Sequence, residues 1–478
     1  MTTDSQAACT VDTKPAGRRR FLRPRWVVLT IVLICVLCLL RFAYLRLTLV
    51  PTPRREYWEN RIAALDPPGE GALAPSEVWD LLSNPPWEGN AAVKASEEAF
   101  DREFLAGPWK SDRLAVIAAE SVFTSDAYRE KQAAIREALQ AGWSDGGCLT
   151  GATPSWRWYQ LHGTWAWWLV GHSRWTREQE HPIEETVGDW ITALRLGRQL
   201  SRTRVFGGTW YMWNSHMLIA REMILTAREP HARIDTLALA AQVYEVIGPI
   251  EKPSEFLEGE RLRLHALLDH MYVREGGDWL AVSHARMANP YSSGTPASRL
   301  WNLASPLFHD FAAARRRVDD YFAALDAVDC LITCPEVTPV WERSWHELRP
   351  NALEGFEGYS SSRAPHQFLG RYYDTRTRME AAIAMLALAE FRRAHDRYPK
   401  ELAELTPDFL ERVPLDYADC KPLRYRRLEG DYLLYSVHKD GRDNGGQGGG
   451  IVYDRGFRYE HDGPDVVFSR SKRPDLRK

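Results

Sequence analysis

An apolar stretch near the start of the chain constrains its organisation more than any other feature. Residues 26–40 contain no charged residue, no glycine and no proline, and the apolar pattern continues to residue 50 with Arg41 and Arg46 as its charged interruptions. A helix needs roughly 20 apolar residues to cross the hydrocarbon core of a membrane, and arginine side chains near its end can reach the headgroups. We therefore expect one membrane-spanning helix over residues 26–50.

The residues before this stretch indicate its orientation. The polar tail, residues 1–25, ends in the basic cluster Arg18–Arg25. Such a cluster stays in the cytoplasm under the positive-inside rule, so we expect the bulk of the chain on the other side. A signal peptidase needs small residues at positions −3 and −1 before the cleavage site. The nearest candidate site follows Ala43 and has Arg41 at position −3, so we expect an uncleaved signal anchor. The sequence predicts a single-pass protein of a bacterial inner membrane, with a cytoplasmic N-terminus and a periplasmic bulk.

The basic cluster leaves the export route open. Residues 18–23 read Arg-Arg-Arg-Phe-Leu-Arg, which looks like the twin-arginine export motif of two arginines, any residue and then Phe-Leu followed by a basic residue. The alternative is an ordinary basic segment before a very apolar span. Both routes place the remainder of the chain outside the cytoplasm.

Composition excludes one class of partner and limits the cysteine chemistry. The 61 Lys and Arg residues nearly balance the 64 Asp and Glu residues, so the bulk charge indicates no nucleic-acid partner. The seven cysteines are too few for a disulfide framework. Whether Cys330 pairs with Cys334, or Cys148 with Cys420, stays open.

Helical periodicity dominates residues 51–372. Apolar residues recur at spacings of three and four, as in Trp210, Trp213, Met217, Ala220 and Ile224. Ser76 and Glu77 after Pro75, and Ser111 with Asp112, are typical helix starts, whereas Pro230, Pro253 and the pair Gly207–Gly208 are interpreted as breakers. We expect about ten helices packed as hairpins in a bundle or an irregular solenoid.

The densest aromatic segment, Trp143–Trp175, has two interpretations. The chain contains 19 tryptophans, and this segment includes Trp165, Trp167 and Trp168. Exposed indole faces would stack on sugar rings and make a glycan-binding module, whereas buried indoles would pack between helices. The spacing of these residues around a helix favours packing in the core.

One short motif suggests catalysis. Glu120-Ser121 on an apolar helix resembles the Glu-Ser motif of lytic transglycosylases, in which a lone glutamate with a raised pKa protonates the glycosidic oxygen. The Gly-Leu-Met-Gln type of segment that follows it in that family is absent here. A cell-wall glycan hydrolase using Glu120 is therefore kept as an alternative to a non-catalytic role.

The sequence changes character in residues 373–478. A strong alanine-rich helix over residues 378–395 is followed by a short helical segment at 401–405. Strands are predicted at 423–428 and 432–437 around the turn Glu429-Gly430-Asp431, with a last strand near 465–468. We interpret this region as a small α+β module.

The order of these motifs resembles the globular domain of the major pseudopilins of type II secretion systems. The motifs that carry the resemblance are Phe391-Arg392-Arg393-Ala394-His395, Arg397-Tyr398-Pro399, Pro414-x-Asp416, Lys421-Pro422-Leu423-Arg424-Tyr425, Tyr435-Ser436-Val437, Asp440-Gly441 and Asp465. Two positions depart from the family pattern: Tyr417 follows Asp416 where that family has proline, and Cys420 stands where a glycine is usual. The membrane helix is separated from the module and no Gly-Phe processing site precedes it, so the chain is expected to use a pilin-like module without being a filament subunit.

The resemblance implies a calcium site in the loop after residue 439. Asp440 and Asp465 match the family pattern, and Asp443 and Asn444 add oxygen atoms in the same glycine-rich loop. Calcium binds six to eight oxygen ligands, which short Asp and Asn side chains and exposed carbonyls supply. The alternative is a solvated loop without an ion.

Together these features predict a mainly α protein with a transmembrane helix, a large Trp-rich helical domain and a small pilin-like domain. The favoured function is a non-catalytic structural or interaction role in the cell envelope, with the membrane and an envelope protein as partners. The alternatives are the glycan hydrolase and the glycan-binding module.

Overall fold

The computed structural model describes part of the chain. The described residues are 24–48, 57, 60–61, 64–65, 72–83, 86, 120, 122–142, 156–202, 204, 206–229, 233–271, 315–316, 318–320, 322–323, 326, 365–448, 452–454, 458–460 and 465–468. These residues are mainly helical, with a small sheet region near the C-terminus, as the sequence predicted. The predicted helix start at Ser111 and the cysteines Cys148, Cys330 and Cys334 lie outside the described residues.

The first compact unit contains helix α1, Pro24–Thr48. The large apolar side chains between Val28 and Leu40 are solvent-exposed, with 44% of the surface of Val36 and 66% of that of Leu39 accessible. Among the described residues, we find no helix that combines the length and the apolar composition needed to cross a membrane.

The second unit contains the other described elements. Its helices begin with several elements from the middle of the chain, and a long helix nearer the C-terminus joins them. In chain order they are α2 (Pro75–Leu82), α3 (Asp126–Ala141), α4 (Trp156–Glu178), α5 (Ile183–Ser201), α6 (Phe206–Ala227), α7 (Thr236–Ile247), α8 (Pro253–Phe256), α9 (Glu258–Met271) and α10 (Pro365–His395).

Local sequence explains where several of these helices begin. The predicted start near Pro75 is confirmed, because Glu77 Oε2 accepts a hydrogen bond from the Ala74 backbone N–H over 2.7 Å and Pro75 opens α2. Helix α3 is capped by Ser125, and α7 by Asp235, whose carboxylate accepts the Ala238 N–H over 3.0 Å. These caps satisfy backbone donors that have no partner within the helix.

Helix α5 lies at the centre of the helical region. It packs against α4 on one side and α6 on the other, while α6 also packs against α10. The predicted stripe on α6 is buried except for its first residue, the half-buried Trp210: Trp213 is 2% exposed and Ile224 is 3% exposed. On α5, Trp190 and Leu194 are fully buried. The periodicity therefore correctly identified the faces that build the core.

The interpretation of Gly207–Gly208 as a helix breaker was wrong. Both glycines lie in the first turn of α6, which continues to Ala227. A Cβ atom at Gly208 would lie 1.9 Å from the carbonyl oxygen of Leu200 near the end of α5. The glycine is needed because the α6 backbone approaches the α5 backbone closely here, and not because the helix ends.

The C-terminal part combines α10 with short strands and two 3₁₀ turns. The strands pair as β1 with β2, β3 with β4 and β7, and β5 with β6, all antiparallel. The elements are a 3₁₀ turn (Leu402–Leu405), β1 (Leu415–Asp416), β2 (Lys421–Pro422), β3 (Arg424–Arg427), β4 (Tyr432–Ser436), a 3₁₀ turn (His438–Asp440), β5 (Val452–Asp454), β6 (Arg458–Glu460) and β7 (Val466–Val467).

The predicted hairpin around Glu429-Gly430-Asp431 is confirmed. Strand β3 pairs with β4 in a register that places Arg427 opposite Tyr432, and Gly430 has a positive φ of 72°. A glycine adopts this backbone conformation without steric strain, which explains its place in the turn. The short helical segment before the sheet is a 3₁₀ turn, Leu402–Leu405.

Helix α10 joins the helical region to the small sheet. It packs against α6 and α7 as well as against β1 and β4. The helix begins at Pro365 and runs across residue 373, where the sequence placed a domain boundary. The buried side chains of both regions belong to one continuous hydrophobic core.

Candidate functional sites

The predicted calcium ligands lie in one loop region at the end of the three-stranded sheet. The Asn444 side-chain amide donates to Asp440 Oδ2 over 3.0 Å. Asp443 Oδ1 accepts the Tyr435 hydroxyl over 2.7 Å, and Asp465 Oδ2 accepts the Gly446 N–H over 2.8 Å. The loop therefore binds most of these oxygens with its own donors.

One oxygen in this loop region is an exception. Asp465 is fully buried, and no described residue makes a hydrogen bond to its Oδ1. Burial raises the pKa of Asp465, while the donors at Gly446 and Asn444 act in the opposite direction. Within the described residues, no group of three His, Cys, Asp or Glu side chains is placed to hold a metal ion.

The candidate general acid, Glu120, is solvent-exposed. Its backbone carbonyl accepts the Thr124 hydroxyl over 2.9 Å. A glutamate that acts as general acid near neutral pH needs an apolar enclosure that raises its pKa. The exposed position of Glu120 does not provide that enclosure.

The described tryptophans of the Trp143–Trp175 segment are mainly core residues. Trp165 is 1% exposed and donates its indole N–H to the Leu82 carbonyl over 3.0 Å. Trp175 is also buried, whereas Trp167 is 42% exposed. A sugar-stacking groove needs several exposed indole faces, and the described side chains of this segment show one such residue. The side chains of Trp143, Trp156 and Trp158 lie outside the described residues.

A buried charged network connects α3, α4 and α5, and the sequence analysis did not find it. Asp189 Oδ1 accepts hydrogen bonds from Gln132 over 2.6 Å and from Arg136 over 2.8 Å. Asp189 Oδ2 lies 2.5 Å from His172 Nδ1. Burial raises the pKa of Asp189, and the hydrogen bond to His172 and the charge of Arg136 counteract that rise.

This pair of His172 and Asp189 has the geometry of two members of a catalytic triad but lacks the third. In the described part of the chain, no Ser, Thr or Cys side chain makes a hydrogen bond to His172. The imidazole lies within ring-contact distance of Phe123, Tyr128 and Trp175. Together with Gln132 and Arg136, the pair joins α3, α4 and α5 in an aromatic environment.

A second buried carboxylate joins α4 to α6. Glu222 is fully buried and binds Arg174 over 2.6 Å and Arg177 over 2.9 Å. Arg177 also donates to the Thr226 hydroxyl over 2.6 Å. Two guanidinium groups and one carboxylate thus form a nearly dry cluster, which we call the α4–α6 charge cluster.

A third carboxylate, Glu380 on α10, fixes the loop before the sheet. Arg412 donates to both of its oxygens, at 2.5 and 3.1 Å, and the Tyr244 hydroxyl donates over 3.0 Å. The Leu415 N–H donates to the same carboxylate over 3.3 Å. Burial and the nearby Glu380 charge raise the pKa of Tyr244 well above its ordinary value, which keeps this hydroxyl a donor.

A cavity of about 470 Å³ opens at the C-terminal end of α5. We call it the arginine cavity, because arginines supply most of its charged lining. The apolar part of its lining includes side chains of α3 and α7. Its charged lining consists of Arg195, Arg198, Arg202, Arg204, Glu245 and Glu251.

Sequence spacing explains why the cavity is cationic. Arg195, Arg198 and Arg202 follow one another at intervals of three and four, so they share one face at the end of α5. Glu251 binds Arg198 over 2.7 Å and lies 3.9 Å from Arg204. The arginine spacing was a signal in the sequence, but the cavity depends on packing against α3 and α7.

Comparison of the chain with models of known protein families, with curated proteins and with solved structures finds no match. The functional argument therefore rests on the residues and the geometry described above.

Proposed function

We propose that this chain is a single-pass bacterial envelope protein with a non-catalytic role, whose bulk lies outside the cytoplasm. The observation that carries the proposal is the exposure of apolar side chains along α1, from Val28 to Leu40. Exposed apolar surface of this extent is typical of a segment that contacts lipid or another protein. The basic cluster Arg18–Arg25 before it favours a cytoplasmic N-terminus.

The chemistry of the described interior supports binding rather than catalysis. Asp189, Glu222 and Glu380 are buried carboxylates, and each of them is bound by several donors from neighbouring elements. Carboxylates in such saturated networks hold helices in place. Glu120, the candidate acid of the glycan-hydrolase alternative, is exposed and has no such environment.

The C-terminal part is proposed to act as a pilin-like binding module. A long helix packed against a small antiparallel sheet, followed by a loop rich in glycine and aspartate, is the arrangement that the resemblance to pseudopilins implies. Because this sheet shares a core with the helical region, we propose that the two parts present a partner-binding surface on one rigid body.

Protease protection in bacterial spheroplasts tests the topology. With a C-terminal epitope tag, externally added protease should remove the tag and leave a protected fragment that ends near Pro51. The fragment should stay in the membrane pellet after alkaline carbonate extraction. A full-length tagged chain that resists protease, or a chain released by carbonate, would contradict the proposal.

A charge-preserving variant separates the topology from the export route. Arg18→Lys combined with Arg19→Lys keeps the positive charge of the cluster but removes the twin-arginine pair. Normal insertion of this variant indicates the general route, and loss of insertion in the variant alone indicates the twin-arginine route.

For the C-terminal loop, we propose a calcium site built from Asp440, Asp443, Asn444 and Asp465. The support is the resemblance together with the buried Oδ1 of Asp465, which has no hydrogen-bond partner among the described residues. Thermal unfolding of the full chain should shift upward by a few degrees at millimolar calcium, because binding to the folded state alone stabilises it. Asp465→Asn should abolish the shift, whereas Asp408→Asn, at an exposed acid outside the loop, should retain it. An unchanged transition in the parent chain would remove the site.

A further inference from the structure

The arginine cavity has the size of a small-molecule site and an excess of positive charge. Its volume, about 470 Å³, falls in the range of ligand-binding clefts. Four arginines and two glutamates of the described residues line it, so this part of the lining carries two net positive charges. Such a charge excess around a concave surface attracts anions.

The acid groups of the cavity do not neutralise all of its arginines. Glu251 is bound by Arg198 over 2.7 Å and lies 3.9 Å from Arg204. No ion pair or hydrogen bond joins Arg195 to another described residue. Glu245 is exposed at the rim and makes no ion pair with the described residues either. Arg195 is therefore a half-buried residue that lines the cavity and has no described side chain bound to its guanidinium group.

Stabilisation of helix C-terminal ends explains the positions of some arginines in this region, but not the position of Arg195. The carbonyls after α7, at Gly248 and Pro249, accept hydrogen bonds from Arg376 over 2.9 and 2.7 Å. Cations at such positions stabilise the C-terminal end of a helix, an effect that is confined to the last turn. Arg195 lies more than one turn before the end of α5 at Ser201, so this effect does not account for it.

A buried histidine on the neighbouring helix α6 is influenced by one of the cavity arginines, Arg198. His216 on α6 is 4% exposed, and its Nε2 lies 3.3 Å from the Leu194 carbonyl. Burial lowers the pKa of His216 to about 3, and the charges of Arg376 and Arg198 contribute to that decrease.

We propose that the arginine cavity binds a small phosphate-bearing anion, with Arg195 and Arg198 as its principal ligands. The planar guanidinium group presents parallel N–H donors that match the oxygens of a phosphate group, and several such groups suit a dianion. The phosphate belongs either to a soluble metabolite or to a lipid headgroup. This proposal is independent of the topology of α1 and of the calcium site.

Calorimetric titration with inorganic pyrophosphate tests the proposal on the full chain in a neutral detergent. Arg195→Gln should weaken binding by about tenfold or more, because one charged hydrogen-bonding group is lost. The matched control is Arg129→Gln, which removes an exposed arginine of α3 that pairs with Asp126, and it should leave binding unchanged. Glu245→Gln removes a negative charge from the rim and should tighten binding a few-fold.

The two cavity variants should change the affinity for pyrophosphate in opposite directions. This difference distinguishes a specific site from non-specific electrostatic attraction. Absence of binding heat with the parent chain would overturn the proposal, and so would equal weakening by Arg195→Gln and Arg129→Gln. Vesicles of neutral lipid with and without phosphatidylglycerol then identify the source of the phosphate. Competition with pyrophosphate by the anionic vesicles assigns a lipid headgroup, and its absence assigns a soluble ligand.

Discussion

The α4–α6 charge cluster and the arginine cavity both gather guanidinium groups between helices, but they differ in how the charge is balanced. In the α4–α6 charge cluster, one fully buried carboxylate, Glu222, binds Arg174 and Arg177, which are 14% and 10% exposed. In the arginine cavity, Glu251 pairs with Arg198 and lies near Arg204, while no carboxylate among the described residues pairs with Arg195. Paired arginines therefore hold helices together, whereas an arginine of the cavity without a described carboxylate is a candidate for ligand binding.

The largest stability effect is expected at Glu222. Glu222→Gln removes the buried carboxylate that binds both Arg174 and Arg177, and breaking a buried pair in this way costs about 3 kcal/mol or more. Arg177 keeps its second partner, Glu229, at 2.8 Å, which limits the loss. Denaturant unfolding measures the change, with Glu178→Gln at an exposed position of α4 as the control that stays close to the parent.

If the free energy of unfolding of Glu222→Gln were close to that of the parent, the α4–α6 charge cluster would not be structural. An equal loss of stability in Glu178→Gln would also contradict the structural role of the cluster. This exposed control removes the same charge without breaking a buried pair.

A smaller effect is expected at Glu251. Its partners Arg198 and Arg204 are 34% and 36% exposed, so water screens the ion pairs. Glu251→Gln should therefore lower the free energy of unfolding by about 1 kcal/mol or less. Denaturant unfolding measures this change. A loss of stability equal to that of Glu222→Gln would show that the cavity arginines are as structural as those of the α4–α6 charge cluster.

The smallest effect is expected at Arg195. Because no carboxylate among the described residues binds it, Arg195→Gln should change the stability of the ligand-free chain by no more than about 0.5 kcal/mol. A stability loss comparable to that of Glu222→Gln would mean that Arg195 supports the fold, and its role in anion binding would lose its basis.

The sequence predicted those parts of the fold that depend on local patterns. The helical stripe on α6, the helix start at Pro75 and the hairpin around Gly430 follow from periodicity, capping and turn preferences. Gly207–Gly208 was misread because a close approach between two helix backbones and a break in a helix both require glycine. Deciding between them needs the neighbouring helix.

The charge networks depend on contacts that periodicity does not reveal. Asp189 accepts a hydrogen bond from Gln132, which is 57 residues away in the sequence. Glu380 accepts one from Tyr244, which is 136 residues away. The arginines at the end of α5 are visible in the sequence, but such a row of charges is more often a solvated helix face. Only the packing of α3, α7 and the segment around Glu251 encloses them in a cavity.

The most direct test of this account is to locate a heavy oxyanion in crystals of the chain. Tungstate has the charge and the tetrahedral oxygens of a phosphate group, and its anomalous scattering marks its position. The account predicts a peak within hydrogen-bonding distance of the Arg195 and Arg198 guanidinium groups, and no peak at Arg174 and Arg177, because Glu222 already occupies those donors. A peak at the α4–α6 charge cluster, or an arginine cavity without density at saturating tungstate, would contradict it.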